Sequence, residues 1–212
     1  MTAEQKSREK IVRIGGQLYQ RQLAHGSAGN LSIRLEDGSI LVTPTNSSLG
    51  FLEPARISRV SPAGELISGD PPSKEAFFHL AVYEARPSAG AVVHLHSTYS
   101  VAISCLCHEQ DEDVLPPLTA YQVMRVGKLP LLKYFRPGDR ALAEAVRQSS
   151  RTNSAMLLAN HGPVVSGKTI EEAMYAYEEL EEAAKLFFLI GERKANPLTA
   201  QAIAEINKFF PN

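Results

Sequence analysis

His94 and His96 lie two residues apart in the apolar stretch AVVHLH (91–96). Successive side chains of a strand point to opposite faces, so the two imidazoles share one face about 7 Å apart at Cα, given a rise of roughly 3.3 Å per residue. Such a pair can converge on one metal ion, or it can be two edge histidines hydrogen-bonded to neighbours. A third imidazole, His161, follows the apolar run SAMLLAN (154–160), at a strand end where a sheet presents functional groups. Three neutral nitrogen ligands leave a fourth position open. That is the layout of catalytic zinc, whereas structural zinc is closed by four ligands rich in cysteine. His25, His79 and His108 read as packed or surface histidines.

Glu75 opens a helical segment after Pro-Pro-Ser-Lys, where a carboxylate complements the helix dipole. The loops Gly26-Ser27-Ala28-Gly29-Asn30 and Thr43-Pro44-Thr45-Asn46-Ser47-Ser48 are small and hydroxyl-rich, able to aim backbone N–H groups at an anion or to serve as ordinary turns. Neither has the P-loop pattern. Cys105 and Cys107 are the only cysteines and cannot frame a disulfide-rich secreted domain; they read as two buried free thiols, with a Cys-x-Cys-His metal site the minor reading.

The elements that must position these groups follow from periodicity. Ile11, Ile14, Leu18 and Leu23 predict an amphipathic helix over residues 3–24 with Gly26 as its left-handed end. LSIRLEDGSILVTPT alternates about Asp37-Gly38 as a hairpin, and ARISRV with GELIS predicts a second about residues 61–64. Ser73 can cap the helix EAFFHLAVYEA, which Arg86-Pro87 stops. AVVHLH predicts a strand, residues 97–106 a helix, GKLPLLKYF an extended segment, and Asp139 caps a helix through Val146. SAMLLAN reads as a buried strand, Thr169 and Glu172 begin a long helix that closes at Gly191, and Thr199 caps a last one. Strands occurring both as hairpins and between helices predict a single-domain α/β fold over residues 1–212, with a mixed, mainly antiparallel central sheet flanked by helices.

Composition excludes several functions. Apolar residues are 44% and charged residues 21%, with a formal net charge of −1, so no basic footprint for nucleic acid or an anionic membrane exists. The longest apolar run, residues 186–190, is too short to span a bilayer, and the first ten residues are polar. A cytoplasmic protein with a small-molecule partner is expected.

GSAGNLS (26–32), VTPT (42–45), SGDPPSKEAFFHLAVYEARP (68–87), AVVHLHSTYS (91–100) and LLANHGPVVSGKTIEEA (157–173) together resemble the class II aldolase/adducin family over nearly the whole chain. The resemblance implies a three-layer fold and a homotetramer with active sites near subunit interfaces. It implies that His94, His96 and His161 hold Zn2+, or Mn2+ or Co2+ in its place. Glu75 would be the catalytic acid/base, Tyr121 a proton donor, and Ser27, Asn30, Thr45 and Ser73 the residues that bind the substrate phosphate.

Within the family, TPTNSSLGFLEPARIS, ISGDPPSKEA, LPPLTAYQVMRVGKLPL and EELEEAAKL are most similar to the branch that decarboxylates 3-oxo-tetronate 4-phosphates. Lys74 stands where sugar-phosphate aldolases usually carry a second serine, and adds the positive charge that a further substrate carboxylate requires. Many relatives have glycine at the position of Asn46, a residue that tolerates the left-handed conformation. Aldolases of the family bring a tyrosine from the C-terminal region, and NKFFPN has none. The implied reaction is loss of carbon dioxide to an enediolate, stabilised by a Lewis acid and protonated to dihydroxyacetone phosphate. An L-fuculose-1-phosphate-type aldolase or a ribulose-5-phosphate 4-epimerase is the nearest alternative. An adducin-like binding module has no need of the histidines.

Overall fold

The alternating segments become eight strands: β1 (Asn30–Arg34), β2 (Ile40–Val42), β3 (Ser58–Val60), β4 (Leu66–Ser68), β5 (Ala91–His94), β6 (Leu131–Leu132), β7 (Ala155–Leu158) and β8 (Gly162–Gly167). The computed structural model describes residues 1–136 and 138–210; Pro211 and Asn212, the end of NKFFPN, lie outside the described residues. One sheet runs in the order β4-β3-β2-β1-β5-β8-β7-β6, and every pairing is antiparallel except β6 with β7. The mixed, mainly antiparallel sheet expected from the sequence is what forms.

The period-2 alternation of β5 divides the molecule into layers. Ala91 and Val93 pack with Ile11, Ile14 and Leu18 of α1 (Ala3–Gln20), Ile103 of α3 (Thr98–Ser104) and Tyr177 of α6 (Ile170–Ile190). Val92 turns the other way, onto Phe78 and Val82 of α2 (Ala76–Ala85) and Val146 of α5 (Ala141–Ser150). Two further helices, α4 (Ala120–Arg125) and α7 (Ala200–Phe209), lie against each other, with α4 also on α6. No described helix is long and apolar enough to cross a membrane.

Several local expectations need correction. The first helix ends at Gln20, and its left-handed residue is Gln22 (φ 62) rather than Gly26. Leu23 N–H reaches Leu18 O and Gln22 N–H reaches Tyr19 O, both at 3.0 Å, a Schellman closure that leaves Leu23 outside the helix. Ser73 is not the cap of α2: Glu75 holds that position, and the Ser73 hydroxyl accepts its N–H at 3.3 Å. Asp139 is likewise not the cap of α5: Arg140 holds that position without a side-chain bond, Asp139 Oδ1 accepts from Ala141 N–H at 2.9 Å from one residue earlier, and the helix continues to Ser150. β8 and α4 had no counterpart in the pattern, because Gly162 and Pro163 disguise the first and α4 has only six residues. Cys105 and Cys107 are exposed, not buried, since α3 stops at Ser104 before reaching them, and no metal group among the described residues includes them.

Candidate active site

β1, β5, the start of α2 and the β7–β8 turn each bring a group to a single spot. β1 pairs with β5 so that Asn30 stands opposite His94. His96 lies two residues past the end of β5, in a segment anchored in part by α6: the Ser97 hydroxyl donates to Leu23 O and accepts from the Tyr177 hydroxyl, each at 3.0 Å. Just beyond, buried Glu181 accepts the N–H groups of Tyr99 (2.8 Å) and Ser100 (2.9 Å), giving α3 the acceptor its first turn needs. His161 sits in the β7–β8 turn after Asn160 (φ 55), with its N–H on Leu158 O at 3.1 Å. Gly162 lets that turn close, because a Cβ there would lie 2.5 Å from the Leu95 carbonyl oxygen. Glu75 reaches in from the start of α2.

The result is a tight cluster. Donor atoms of Glu75, His94, His96 and His161 all lie within 4.8 Å of one another. His94 Nε2 is 3.1 Å from His96 Nε2, Glu75 Oε1 is 3.2 Å from His161 Nε2, and Glu75 Oε2 is 3.4 Å from His94 Nε2. Donors held roughly 2.0–2.1 Å from a tetrahedral ion stand about 3.3 Å apart, so three imidazoles and a carboxylate at these spacings fit a divalent metal. Burial pushes the imidazole of His94 down to about 3 and that of His96 to about 4, which keeps both in the neutral, ligating form near pH 7. Burial alone would raise the Glu75 carboxyl, but the rings of His94 and His161 and the amide of Asn30 outweigh it and hold it well below the ordinary carboxylate range.

Of the residues singled out in the sequence, Glu75, His94, His96 and His161 converge, and Asn30 joins them by donating Nδ2–H to Glu75 Oε2 at 2.7 Å. Thr45 and Ser73 lie on adjoining segments: Thr45 N–H bonds Pro71 O at 3.0 Å and Ser73 N–H bonds Thr43 O at 3.1 Å, across a Pro44–Pro72 bridge. Asn46 takes the left-handed conformation (φ 53) that its turn requires. Ser27 and Lys74 are exposed, with no hydrogen bond or ion pair to the cluster among the described residues. Tyr121 is 58% exposed on α4, which packs on α6 and α7, so within one chain it does not join the group.

Sequence reasoning missed His79, Ser32 and Tyr83, all buried behind Glu75 and Asn30. The signal was present as polar residues spaced four apart on an otherwise apolar helix and two apart on a buried strand.

Residues 9–188 match the model of the class II aldolase and adducin N-terminal domain. The chain is 51% identical over 207 residues to a 3-oxo-tetronate 4-phosphate decarboxylase of Pectobacterium atrosepticum, covering 98% of this chain and 95% of that protein. It is 39% identical over 186 residues to an L-fuculose phosphate aldolase of Methanococcus maripaludis, covering 87% and 98%. The crystal structure of Escherichia coli YgbL superposes with a TM-score of 0.95 at 51% identity, over 97% of this chain and 99% of that one. On motifs, fold and near-full-length identity alike, the chain belongs to the class II aldolase and adducin family.

Proposed function

We propose that the protein is a metal-dependent lyase that decarboxylates a 3-oxo-tetronate 4-phosphate to dihydroxyacetone phosphate and carbon dioxide. The observation that carries this reading is the convergence of three imidazoles with an ionised Glu75 at metal-ligand spacing. The high identity to decarboxylases supports the choice of substrate. His94, His96 and His161 would hold the ion, with Zn2+ best matched to three nitrogen donors. When bound, a divalent cation there supplies Lewis-acid stabilisation of the negative charge that develops on the substrate's ketone oxygen.

The chain's own groups supply the rest. Ser27, Thr45 and Ser73 offer hydroxyls to the phosphate; Asn30 has its second Nδ2–H to add, and Lys74 offers a charge to the substrate's anionic end. Loss of carbon dioxide leaves an enediolate that needs a proton on carbon. Glu75, a carboxylate in the resting site, is set to accept the proton of the substrate's 2-hydroxyl and return it to carbon, with water restoring the hydroxyl proton. A phenol is the complementary donor, and exposed Tyr121 can serve only if a second copy of the chain brings it to the site. Exposed Phe51, Leu189 and Phe209 support such an assembly, for which a homotetramer in the cytoplasm is our reading.

A retro-aldol cleavage passes through the same enediolate, which makes the aldolase reading the one to test against. Metal-loaded protein should release carbon dioxide and dihydroxyacetone phosphate from 3-oxo-tetronate 4-phosphate. Faster release of aldehyde from L-fuculose 1-phosphate would replace this assignment with the aldolase.

A further inference from the structure

We propose that Asn30 is a positioning residue for Glu75, itself aimed by a buried hydrogen-bond chain that runs from Tyr83 through Ser32 and His79. The proposal deepens the reading of Glu75 as the acid/base group and rests on it for its kinetic consequences.

The chain is a zipper between a helix and a strand. Glu75, His79 and Tyr83 follow one another at four-residue intervals along α2, while Asn30 and Ser32 are two residues apart on β1. Four helical residues rise about 6 Å and two strand residues about 6.6 Å, so the two ladders stay in step. Contacts accordingly alternate between them: the Tyr83 hydroxyl to Ser32 Oγ at 2.7 Å, Ser32 Oγ to His79 Nδ1 at 2.7 Å, His79 Nε2 to Asn30 Oδ1 at 2.5 Å, and Asn30 Nδ2 to Glu75 Oε2 at 2.7 Å. Ser32 and His79 are 0% exposed, Asn30 4% and Tyr83 5%, so water does not compete for these bonds.

Donor and acceptor logic permits one direction only. The Glu75 carboxylate accepts and cannot donate, which forces the Asn30 amide nitrogen toward it and the amide oxygen toward His79. That oxygen needs a donor, so His79 must carry its proton on Nε2. Nδ1 is then an acceptor, Ser32 must donate to it, and Tyr83 must donate to Ser32. Reversing any link would turn the Asn30 oxygen onto the carboxylate, two acceptors face to face. The zipper therefore fixes which end of Asn30 meets Glu75, pins Oε2 and leaves Oε1 facing His161.

Three measurements decide it. Nitrogen NMR of histidine-labelled, metal-free protein should find His79 as the neutral Nε2–H tautomer; a Nδ1–H tautomer overturns the proposal. Ser32→Ala should lower kcat by on the order of 10-fold or more, with KM changed less than about two-fold and metal content unchanged. Ser32→Thr, which keeps the hydroxyl, should restore kcat. Tyr83→Phe removes the last donor while keeping the ring, and should lower kcat in the same direction if Ser32→Ala does not fold. In a Glu75→Gln background, Ser32→Ala should cost nothing further, as expected for groups acting through one another. Wild-type kcat in both Ser32→Ala and Tyr83→Phe, or full additivity with Glu75→Gln, overturns the proposal. Failure of the wild type to release carbon dioxide would sink the decarboxylase reading alone, since the tautomer is read without substrate.

Discussion

His94 donates its Nδ1–H to the carbonyl oxygen of Pro163 at 2.9 Å, so a residue of β8 decides which nitrogen of a β5 histidine faces Glu75 and His96. Backbone bonds of this kind fix the tautomer of metal-binding imidazoles and leave Nε2 as the ligand. The purified protein should carry about one divalent ion per chain, as a single three-imidazole site requires. His94→Ala should lose it in elemental analysis, and stoichiometric metal in that variant would remove His94 from the ligand set. Chelation should also lower the melting temperature of the wild type, because the ion binds only the folded cluster.

Glu75→Gln keeps the shape and the Asn30 contact but removes the titrating carboxylate. Turnover should fall by roughly 10²-fold or more, with metal content intact. Tyr121→Phe should fall as well. If Tyr121 acts on a neighbouring chain's site, co-refolding the two inactive variants will regain activity that neither has alone. Mixtures as inactive as their parents would place both residues in one chain's site, or Tyr121 in none.

Acid should unfold the metal-free protein early. Burial pushes His79 and His94 down to about 3 and His96 to about 4, whereas the unfolded chain takes up these protons near the ordinary value of 6.5. Folded pKa values below the unfolded ones give stability that is full above about 6.5 and is lost as pH falls toward 3 to 4, by about 1.4 kcal/mol per pH unit for each buried ring. Glu75, also held below its usual range, acts in the same sense at lower pH. Urea midpoints should therefore drop from pH 7 to pH 5 with little change in m, and a flat profile would show that these rings are not neutral in the fold.

How much of this was legible beforehand depended on what each residue reports. Thr169 and Thr199 mark helix starts through local side-chain bonds that sequence spacing encodes, and each was found in that role, whereas Asp139 stands one residue before the Arg140 that begins α5. The convergence of His94, His96 and His161 was legible because a strand places alternate residues on one face and its end brings a third imidazole within reach. β8 was hidden because Pro163 and the glycines at the two ends of the strand, Gly162 and Gly167, argue against a strand in isolation. Only the pairing with β5 and β7, where the chain must pass close to Leu95, makes those residues suitable. The zipper of Tyr83, Ser32, His79 and Asn30 was likewise invisible, since its meaning lies in a register between elements more than forty residues apart.

Glu181 predicts a purely structural cost. Its buried carboxylate accepts from the N–H groups of Tyr99 and Ser100 and from the Ser100 hydroxyl, and no cation neutralises it among the described residues. Glu181→Ala leaves those donors orphaned, at a cost of about 1–3 kcal/mol. The same change loosens the segment that carries His96, so metal affinity should weaken along with the urea midpoint. Loss of stability with unchanged metal affinity would show that His96 is held by its own strand.

Lys74 should separate the two candidate reactions. It is exposed beside Ser73 and Glu75, with no ion pair to any described residue, so its ammonium is available to a ligand. An oxo-acid phosphate brings a carboxylate in addition to the phosphate, and unpaired charge is costly in a partly desolvated pocket. A sugar phosphate with a neutral tail lacks that carboxylate, and for it serine would serve nearly as well. Lys74→Ser should therefore lower kcat/KM for 3-oxo-tetronate 4-phosphate by on the order of 10-fold or more, through loss of a charge-assisted contact, and leave L-fuculose 1-phosphate less affected. Both substrates must be measured on both proteins. Equal losses on the two would assign Lys74 to the phosphate they share, and no loss on either would leave it a solvated lysine; in both cases the selectivity for the acid must come from another residue.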